Sequence, residues 1–339
     1  MADARRARRL FGGSGGAPTA TDLNIASLQA AGERLGVGVE RLPGDMLRLT
    51  HGGEASYAFE SNLAFEPLVP FFACGDKGLT ADRLAEAGLP VPRSAAFELT
   101  GYDRAQRFFA QLDKPVVTKP ARGTAGGAGV TLNITTRRSF RAGFARAAVH
   151  LSGVLVEQQV AGEHLRVTIL AGSVIGAVHR VPARVTGDGS ASVASLVERK
   201  NALWRAGTPE NRLLRPIRLD GEAKRILRRQ GLGPTSVAPE GRDVWLRDVC
   251  NADEGGEIVE MTDSLRPDHR DMALAAANVL GPVLSGVDLI VPDLRTGAGV
   301  VINEVNTTPS LYVINGMRDG APSHEASERI LRHLFGIGP

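Results

Sequence analysis

Three oxygen-bearing side chains near the end of the chain have the types and spacing of a divalent-cation site. Glu304 and Asn306 lie two residues apart in the apolar segment VVINEVN, so a strand would place both on one face, together with Ile302. Asp288 lies in the apolar segment VDLIV, and the glycine-containing connection PDLRTGAG favours an antiparallel hairpin. Two carboxylates and an amide oxygen suit hard cations such as Mg²⁺. Solvated polar residues on an edge hairpin are the simpler alternative.

A glycine-rich segment with a lysine before it is the second candidate, a phosphate-binding loop. Lys119 lies near the end of the segment VVTKP, and glycines follow at positions 123, 126, 127 and 129. Glycines let backbone N–H groups approach phosphate oxygens, and the lysine adds a point charge. The run GTAGGAG is neither a Walker A loop, since no GKS or GKT follows, nor a GxGxxG motif. A mobile surface loop is an equal alternative.

The segment VLVEQQVAGEHLRV is the third candidate, a hinge beside a nucleotide base. Its apolar strand breaks at Gly162, and its polar residues include Glu157, Gln158, Glu163 and Arg166. A buried strand that leaves the core is the simpler interpretation. His164 and His179 lack partners at metal-ligand spacing. Cys250 lies beside Arg247 and Asn251, but no Cys/His or Ser/His/Asp arrangement indicates a nucleophile.

The elements that must position these residues mix helices with antiparallel hairpins. A helix from Ile25 runs into a strand that ends at Leu42, and a hairpin follows over Met46–Glu60. Thr80 is the expected N-cap of the next helix, which Gly88 ends. Further predicted elements are a basic helix (Arg137–Val149), the hairpin RVTILAGSVIGAVHRV, and helices over Gly221–Gln230 and Asp268–Leu280. This mixture indicates the α+β (α/β) class.

Composition excludes several classes of protein. Apolar residues make up 43% and charged residues 23% of the 339, which is ordinary for a globular chain. The 40 basic residues face 37 acidic ones, so a net charge of +3 does not indicate a nucleic-acid-binding surface. No apolar run is long enough for a membrane span. Two cysteines cannot form a disulfide framework, and we expect a reduced, cytoplasmic protein. Residues 1–20 are expected to be a disordered basic tail.

Six segments, in their order along the chain, resemble the ATP-grasp ligases, most closely the ATP-grasp module of cyanophycin synthetases and of bifunctional glutathione-synthesising enzymes. The segments are DKGLTADRLAEAGLPVP, VVTKPARGTAGGAGVTLN, VLVEQQVAGEHLRV, HRVPARVTGDGSASVASLVERKNA, LRDVCNADEGG and GVDLIVPD with NEVNTTPS. The resemblance implies an ATP-grasp fold in which two α+β subdomains grip ATP. The expected units are a small N-terminal α/β domain (21–75) and an ATP-grasp domain (76–339), with a lid-type subdomain (115–205) and a C-terminal catalytic subdomain (206–339).

The resemblance also implies the reaction: ATP phosphorylates a carboxylate, and an amine attacks the acyl phosphate. Asp288, Glu304 and Asn306 match the positions that hold two Mg²⁺ ions, for which Mn²⁺ would be a substitute. These ions would neutralise charge on the transferring phosphoryl group.

The resemblance assigns the other catalytic roles to basic side chains. Arg247 matches an arginine that stabilises the phosphoryl and acyl-phosphate oxygens. Arg166 and Arg180 would clamp the acceptor carboxylate through bidentate bonds. With Lys119, these residues make up the expected catalytic set.

Expected contacts with ATP follow from the same resemblance. Lys77 and Lys119 match two phosphate-binding lysines, and the glycine loop would close over the phosphates. The other expected contacts, from the loop and from a hinge that meets adenine, are Gly123, Thr124, Gly126, Gly127, Gly129, Glu157, Gln158 and Val160. Where the family carries an acidic residue for the ribose, this sequence has His164, with Glu163 one place earlier. Both remain candidates.

Two departures from the family bear on the substrate. After Asn251, close relatives read STGG, whereas this chain reads Asp253-Glu254-Gly255-Gly256. With Arg180, these residues form the expected substrate site, and the two acids predict an amine donor or acceptor with a positive charge. An exposed loop that merely tolerates acids is the alternative. NTTPS after the last strand replaces the more usual Pro-Gly and would shape that loop for a different product.

The predicted function is an ATP-dependent carboxylate–amine ligase that forms an amide or peptide bond on an amino acid or short peptide, in specialised-metabolite or peptide biosynthesis. One alternative is a glutathione-synthetase-like enzyme that adds an amino acid to a γ-glutamyl dipeptide. The other is a non-catalytic nucleotide-binding regulatory protein. The expected partners are small-molecule carboxylate and amine substrates, and neither a membrane nor a nucleic acid is expected. The expected assembly is a homo-oligomer, namely a dimer.

Overall fold

A computed structural model of the chain describes residues 19–124, 127–206, 215–251, 254–315, 317–318 and 321–338. The expected basic tail, except its last two residues, lies outside the described residues, as do Gly126 and Asp253. No helix among the described segments is long and apolar enough to cross a bilayer.

The N-terminal unit is a helix packed on an antiparallel sheet. Helix α1 (Ala20–Leu35) begins after Thr19, which forms a reciprocal capping box with Asp22. The sheet has the order β1-β2-β3-β4. Its strands are β1 (Gly38–Arg41), β2 (Met46–His51), β3 (Glu54–Phe59) and β4 (Asn62–Leu63). Ile25 and Leu28 of α1 are fully buried in a cluster that also contains Ile330 and Leu331 from the last helix. The unit therefore shares its core with the C-terminal part of the chain.

Two short helices, α2 (Leu68–Gly75) and α3 (Lys77–Glu86), lead from this unit to the next. Asp76 caps α3, since its side chain accepts hydrogen bonds from the backbone N–H groups of Gly78 and Leu79. The predicted cap, Thr80, is wrong: it lies inside the helix, and its hydroxyl donates to the Ala73 carbonyl. The true cap places Lys77 at the first helical position.

The next unit, which we call the small subdomain, is a four-stranded antiparallel sheet with two helices on one face. Its elements are β5 (Ser94–Phe97), α4 (Tyr102–Gln111), β6 (Val116–Pro120), β7 (Thr131–Ile134), α5 (Arg137–Ala148) and β8 (Val154–Gln158). The strand order is β5-β8-β6-β7. Phe140 of α5 is fully buried and stacks on Phe109 of α4, with ring centroids 4.5 Å apart. These rings fix both helices on the sheet.

The large subdomain is built on a five-stranded antiparallel sheet of order β13-β10-β9-β14-β15. Its elements in chain order are β9 (Glu163–Leu170), β10 (Ser173–Val181), β11 (Arg184–Thr186), α6 (Val193–Ala206), α7 (Gly221–Arg229), β12 (Asp243–Trp245), β13 (Glu257–Glu260), α8 (Pro267–Leu280), β14 (Leu284–Val291), β15 (Val301–Asn306), α9 (Leu311–Ile314), β16 (Met317–Arg318), β17 (Ala321–Pro322) and α10 (Glu325–Phe335). Helix α8 packs on one face of this sheet through Ala273 and Ala276. The opposite face carries the polar residues of the candidate site.

Strand pairing shows which residues belong to each sheet, while the lid-type subdomain of about 115–205 stays a prediction. Strand β5, at residues 94–97, already pairs with β8. Strand β9, at residues 163–170, pairs with β10 and β14 of the five-stranded sheet. The small subdomain therefore spans roughly residues 91–160, and the α+β class holds for both subdomains.

Candidate active site

The predicted hairpin forms, and its register brings the three candidate cation ligands together. Strands β14 and β15 are antiparallel, with Asp288 opposite Glu304 and Gly286 opposite Asn306. The register shifts after Asp288, so that Leu289 faces Ile302 across a bulge. The expectation that Ile302 shares the face of Glu304 is therefore wrong, because the bulge turns Ile302 into the core, where it is 1% exposed.

Two arginines from neighbouring strands hold Asp288. Arg166 of β9 lies opposite Asp288 and donates through Nε to Oδ1 and through Nη2 to Oδ2, the latter at 2.7 Å. Arg180 of β10 donates through Nη2 to Oδ2 at 2.9 Å. Burial alone would raise the pKa of the Asp288 carboxyl, but the charges of Arg166 and Arg180 and these hydrogen bonds hold that pKa at about 2. Asp288 is therefore ionised at neutral pH.

The absence of a side chain at Gly286 leaves the space that the Arg166 side chain occupies. A Cβ atom at position 286 would lie 2.9 Å from Arg166 Cδ and 3.4 Å from its Nε. Arg166 also reaches β15: when the Asn306 amide is oriented with its nitrogen toward Glu304, its oxygen accepts from Arg166 Nη2 at 3.0 Å. One guanidinium thus connects two of the three predicted ligands.

The donor set fits a hard divalent cation. A carboxylate has about four lone-pair sites, and the arginines use three on Asp288, so Oδ1 keeps one. With its nitrogen facing Glu304, the Asn306 amide donates to Oε1 at 3.2 Å, which puts those two side chains in contact. No group of three or more His, Cys, Asp and Glu side chains suited to a metal occurs within the described segments. The candidate set is two carboxylates and one amide oxygen, the chemistry that Mg²⁺ prefers.

Lys77 links the glycine loop to this set. Its backbone N–H donates to the Ala121 carbonyl at 3.0 Å, at the end of β6 where the loop begins. Its ammonium lies 3.5 Å from Glu304 Oε1. Beside it, Asp76 pairs with Arg122 Nε at 3.0 Å. The base of the loop, the first predicted phosphate lysine and the hairpin carboxylate therefore meet at one place.

The glycine loop reaches across to the large subdomain. A Cβ atom at Gly127 would lie 3.1 Å from Val249 Cγ1, in the segment between β12 and β13. A Cβ atom at Gly129 would lie 2.7 Å from the His150 ring, which belongs to the small subdomain. Gly123 and Thr124 precede the undescribed residues. The loop thus contacts residues of both subdomains.

Lys119 and Glu157 form a buried ion pair under the loop. Lys119 Nζ lies 3.1 Å from each Glu157 carboxylate oxygen, and both residues are 6% exposed. Beyond Glu157, the Gln158 amide donates to the Arg93 carbonyl at 2.9 Å. The Val160 amide donates to no protein acceptor in the described parts of the chain. This position matches the predicted hinge.

Strand pairing places the two candidate ribose contacts, Glu163 and His164, on opposite faces of β9. Strand β9 pairs regularly with β14 from Glu163 to Leu170, so the alternation of a strand holds there. His164 is therefore on the face of Arg166, whereas Glu163 lies beside His179, with Oε2 and Nε2 2.8 Å apart. Burial first, and then the charge of Arg180, lowers the pKa of His164, which favours the neutral imidazole. A shifted backbone, which Glu163 would need, is not observed.

Arg247 lies in a neighbouring cluster, and carboxylates already surround its guanidinium. Its Nε donates to Glu254 at 2.9 Å and its Nη2 to Asp220 at 2.8 Å, while Nη1 donates to the Leu246 and Arg218 carbonyls. Arg247 is 4% exposed. Glu254, one of the two acids predicted to attract a positively charged substrate, is thus paired with Arg247, and the other, Asp253, lies outside the described residues. Sequence reasoning missed Asp220, and only its place before a helix signalled a role, as an N-cap.

The loop after Arg247 folds tightly against the large subdomain. The Asn251 carbonyl accepts from the backbone N–H groups of Glu254 and Gly256. Gly255 has a φ of +88°, and a Cβ atom there would lie 2.4 Å from Ile217, so this glycine has a packing role. Cys250 lies close enough to Arg180, Asp288 and Glu163 to sense their charges, and burial first of all raises the pKa of its thiol to about 12. Sequence reasoning did not place this cysteine at the site.

The site defines a class of protein. Two subdomains with antiparallel sheets meet where Lys77 joins the base of the glycine loop to the carboxylate–amide hairpin, the arrangement of an ATP-grasp fold. No family model matches the chain. It is 30% identical over 261 residues to cyanophycin synthetase from Geminocystis herdmanii, covering 75% of this chain and 29% of the relative. It is also 30% identical over 299 residues to the glutathione biosynthesis bifunctional protein GshAB of Streptococcus agalactiae, covering 85% and 39%.

Two solved structures are also similar to this chain. The bifunctional glutathione synthetase of Pasteurella multocida superposes with a TM-score of 0.63 at 26% identity, over 92% of this chain and 43% of that one. The VanG D-Ala:D-Ser ligase of Enterococcus faecalis shares the fold, with a TM-score of 0.50 at 16% identity, over 78% and 63%. The chain belongs to the ATP-grasp ligases, in which it is related to cyanophycin synthetases and bifunctional glutathione synthetases. It spans less than half the length of these relatives.

Proposed function

We propose that the chain is an ATP-dependent ligase that joins a carboxylate to an amine, with an amino acid or short peptide as substrate. The observation that carries this proposal is Lys77, which ties the base of the glycine loop to Glu304. It places a phosphate-binding cation between a loop able to cover phosphates and a pair of strands able to hold a divalent ion.

The proposed reaction has two steps. A substrate carboxylate oxygen attacks the γ-phosphorus of ATP, and ADP leaves with the electrons of the broken P–O bond. An amine then attacks the carbonyl carbon of the acyl phosphate and expels inorganic phosphate, losing a proton. Mg²⁺ held by Asp288, Glu304 and Asn306 would neutralise charge on the transferring group. The protein itself positions the phosphates through Lys77 and Lys119.

The adenine end of ATP is proposed to lie at the hinge. The Val160 amide is a donor at the end of β8, and the buried Lys119–Glu157 pair lies on the same strand pair. His164 is the proposed ribose contact, since it shares a face with Arg166. A neutral imidazole can donate one hydrogen bond and accept another, so it suits a hydroxyl group.

Arg166 and Arg180 support a carboxylate as the acceptor substrate. The Arg180 Nε–H is buried and has no acceptor within the described segments. A guanidinium that already holds Asp288 with one edge can offer another donor to a substrate carboxylate. Arg247 is proposed to act on the acyl phosphate once Glu254 or Asp220 releases its guanidinium.

The finer substrate has two candidates. An amino acid or a short peptide follows from the arginine pair alone. The glutathione-type relative is matched over a larger share of this chain than the cyanophycin synthetase. This favours, as a second candidate, addition of an amino acid to a γ-glutamyl dipeptide.

Mass spectrometry tests the proposal. The purified chain is incubated with ATP, Mg²⁺ and a pool of the common amino acids, with and without γ-glutamylcysteine, while ADP release is followed by a coupled assay. We expect ADP release that depends on the pool, and a product heavier than one substrate by the second minus water. ADP release only when γ-glutamylcysteine is present, with a product heavier than this dipeptide by one amino-acid residue, would select the glutathione-like candidate.

Two variants make the result decisive. Glu304→Gln removes a proposed cation ligand and should abolish turnover, while Glu86→Gln changes an exposed glutamate in a surface ion pair and should not. Absence of ADP release with every pool, from a folded protein that binds ATP, would favour the non-catalytic alternative. Near-normal turnover by Glu304→Gln would overturn the cation assignment.

A further inference from the structure

The small subdomain carries a positive charge that the rest of the chain does not share. Residues 91–160 contain ten basic and four acidic residues, whereas the whole chain has a net charge of only +3. The remainder is therefore slightly negative.

Helix α5 concentrates this charge on its outer face. Arg137, Arg138, Arg141 and Arg146 are all exposed, while Phe140 and other apolar residues face the sheet. None of the four forms an ion pair within the described part of the chain, in contrast to most other arginines there. They extend over about 13 Å at the rise of an α-helix. Four exposed, uncompensated guanidinium groups on one helix form a surface suited to an anionic partner.

The neighbouring helix extends this surface. Helix α4 packs beside α5 through the Phe109–Phe140 stack. It adds Arg104 and Arg107, both exposed and also without an ion pair in the described segments. Asp103 is the exposed acid on the same helix. The pair of helices thus presents six arginines against one carboxylate.

A cavity of about 330 Å³ opens where α5 ends. Leu99 and Leu151 are its aliphatic lining residues, and the rest of the lining is Glu98, Thr100, Arg122, Ser152 and Gly153. Leu151 is 79% exposed, and Val149, two residues earlier, is 75% exposed. Exposed aliphatic side chains beside a charged surface are typical of a place where another chain packs. The cavity is on the opposite end of the subdomain from the hinge at Val160.

We propose that the arginines of α5 and the Leu99–Leu151 cavity together bind an acidic polypeptide segment that carries an aliphatic side chain. Arginine forms bidentate bonds with carboxylates, and the cavity accepts the aliphatic group. Single-stranded nucleic acid usually stacks its bases on exposed aromatic rings. The aromatic rings of α4 and α5 face inward, and the exposed large apolar residues described in this subdomain are all aliphatic. The surface therefore favours carboxylates over nucleotides.

The test uses the full chain and defined probes. A fluorescein-labelled peptide of about 12 residues, glutamates with one central leucine, is titrated with protein, and its anisotropy gives a Kd. A peptide with glutamine for glutamate, an all-glutamate peptide and an oligouridylate of similar length are the comparison probes. We expect the leucine-containing acidic peptide to bind most tightly, and more weakly as salt rises.

Matched variants separate a site from general charge. In one protein the four α5 arginines are changed to glutamine. In the control, four exposed arginines elsewhere, Arg34, Arg48, Arg270 and Arg295, receive the same change. We expect the α5 variant to weaken binding roughly tenfold or more, because several charge-assisted bonds are lost, and the control to change it little. Leu151→Asn should weaken only the leucine-containing peptide.

Other outcomes overturn the proposal: no binding of the acidic peptide, equal loss in both four-arginine variants, or tighter binding of the oligouridylate. The binding assay contains no ATP, so it is independent of the proposed ligase activity. The α5 variant should also keep the ADP release of the native chain with free amino acids, because none of its changed residues touches the candidate active site.

Discussion

Replacing Asp288 with asparagine should destabilise the fold as well as stop any ligation. The carboxylate is 5% exposed in its side chain and accepts three hydrogen bonds from Arg166 and Arg180. An amide of the same shape keeps an oxygen but loses the negative charge, so two largely buried guanidinium groups remain without compensation. Breaking a buried pair in this way costs about 3–5 kcal/mol. For a chain of this size, we expect a Tm lower by roughly 6–15 °C.

The measurement is thermal unfolding of Asp288→Asn beside Glu304→Gln. Glu304 has Lys77 at 3.5 Å and is more exposed, so its variant should keep a Tm close to that of the native chain. Both variants should lack turnover. A double variant, Arg166→Met with Asp288→Asn, removes one of the stranded charges and should regain part of the lost stability. Equal Tm values for Asp288→Asn and the native chain would show that the arginines do not depend on this carboxylate.

Three further expectations follow from the same site. Gly286→Ala should raise the KM for the acceptor carboxylate, because the added Cβ would press on Arg166, which holds Asp288. The control is Gly75→Ala, whose Cβ would meet no atom within 4 Å. Equal KM values for Gly286→Ala and the native chain would refute the expectation. Near neutral pH, the Tm of the native chain should exceed that of Asp288→Asn by a constant amount. This difference in Tm should shrink as pH falls from about 4 toward 2, because the pKa of Asp288 in the folded chain lies below the ordinary value of 3.8 and the carboxylate becomes protonated in that range. Iodoacetamide at pH 8 should label neither Cys74 nor Cys250 before urea is added, since burial raises both thiol pKa values to about 12; labelling of the folded chain would contradict this.

The hairpin was predictable because its signal is local. Alternating apolar residues and a glycine-containing connection specify an antiparallel pair, and the register then sets Asp288 opposite Glu304. The basic helix of α5 was also predictable from its period, and its observed bounds, Arg137–Ala148, differ by one residue from the expected ones. The bulge that turns Ile302 inward was not predictable, since nothing in VVINEVN marks the extra residue.

Partners distant in sequence lay beyond sequence reasoning. The pairing of Asp288 with Arg166 joins residues 122 positions apart and depends on which strands are neighbours in the sheet. The pairing of Arg247 with Asp220 likewise depends on how α7 packs. The family resemblance could suggest that these arginines matter, but only coordinates show which carboxylates they already hold.

The shared core of α1 and α10 sets the order of folding during synthesis. The first described helix leaves the ribosome about 300 residues before the helix that covers Ile25 and Leu28. Until then, the apolar stripe of α1 packs on the four-stranded sheet but lacks its contacts with α10, and the part left uncovered is open to chaperones or to another nascent copy. The five-stranded sheet also lacks part of its packing until then, because Leu170 of β9 and Leu284 of β14 belong to the same cluster. Closure of this core therefore requires α10, which is synthesised about 300 residues after α1.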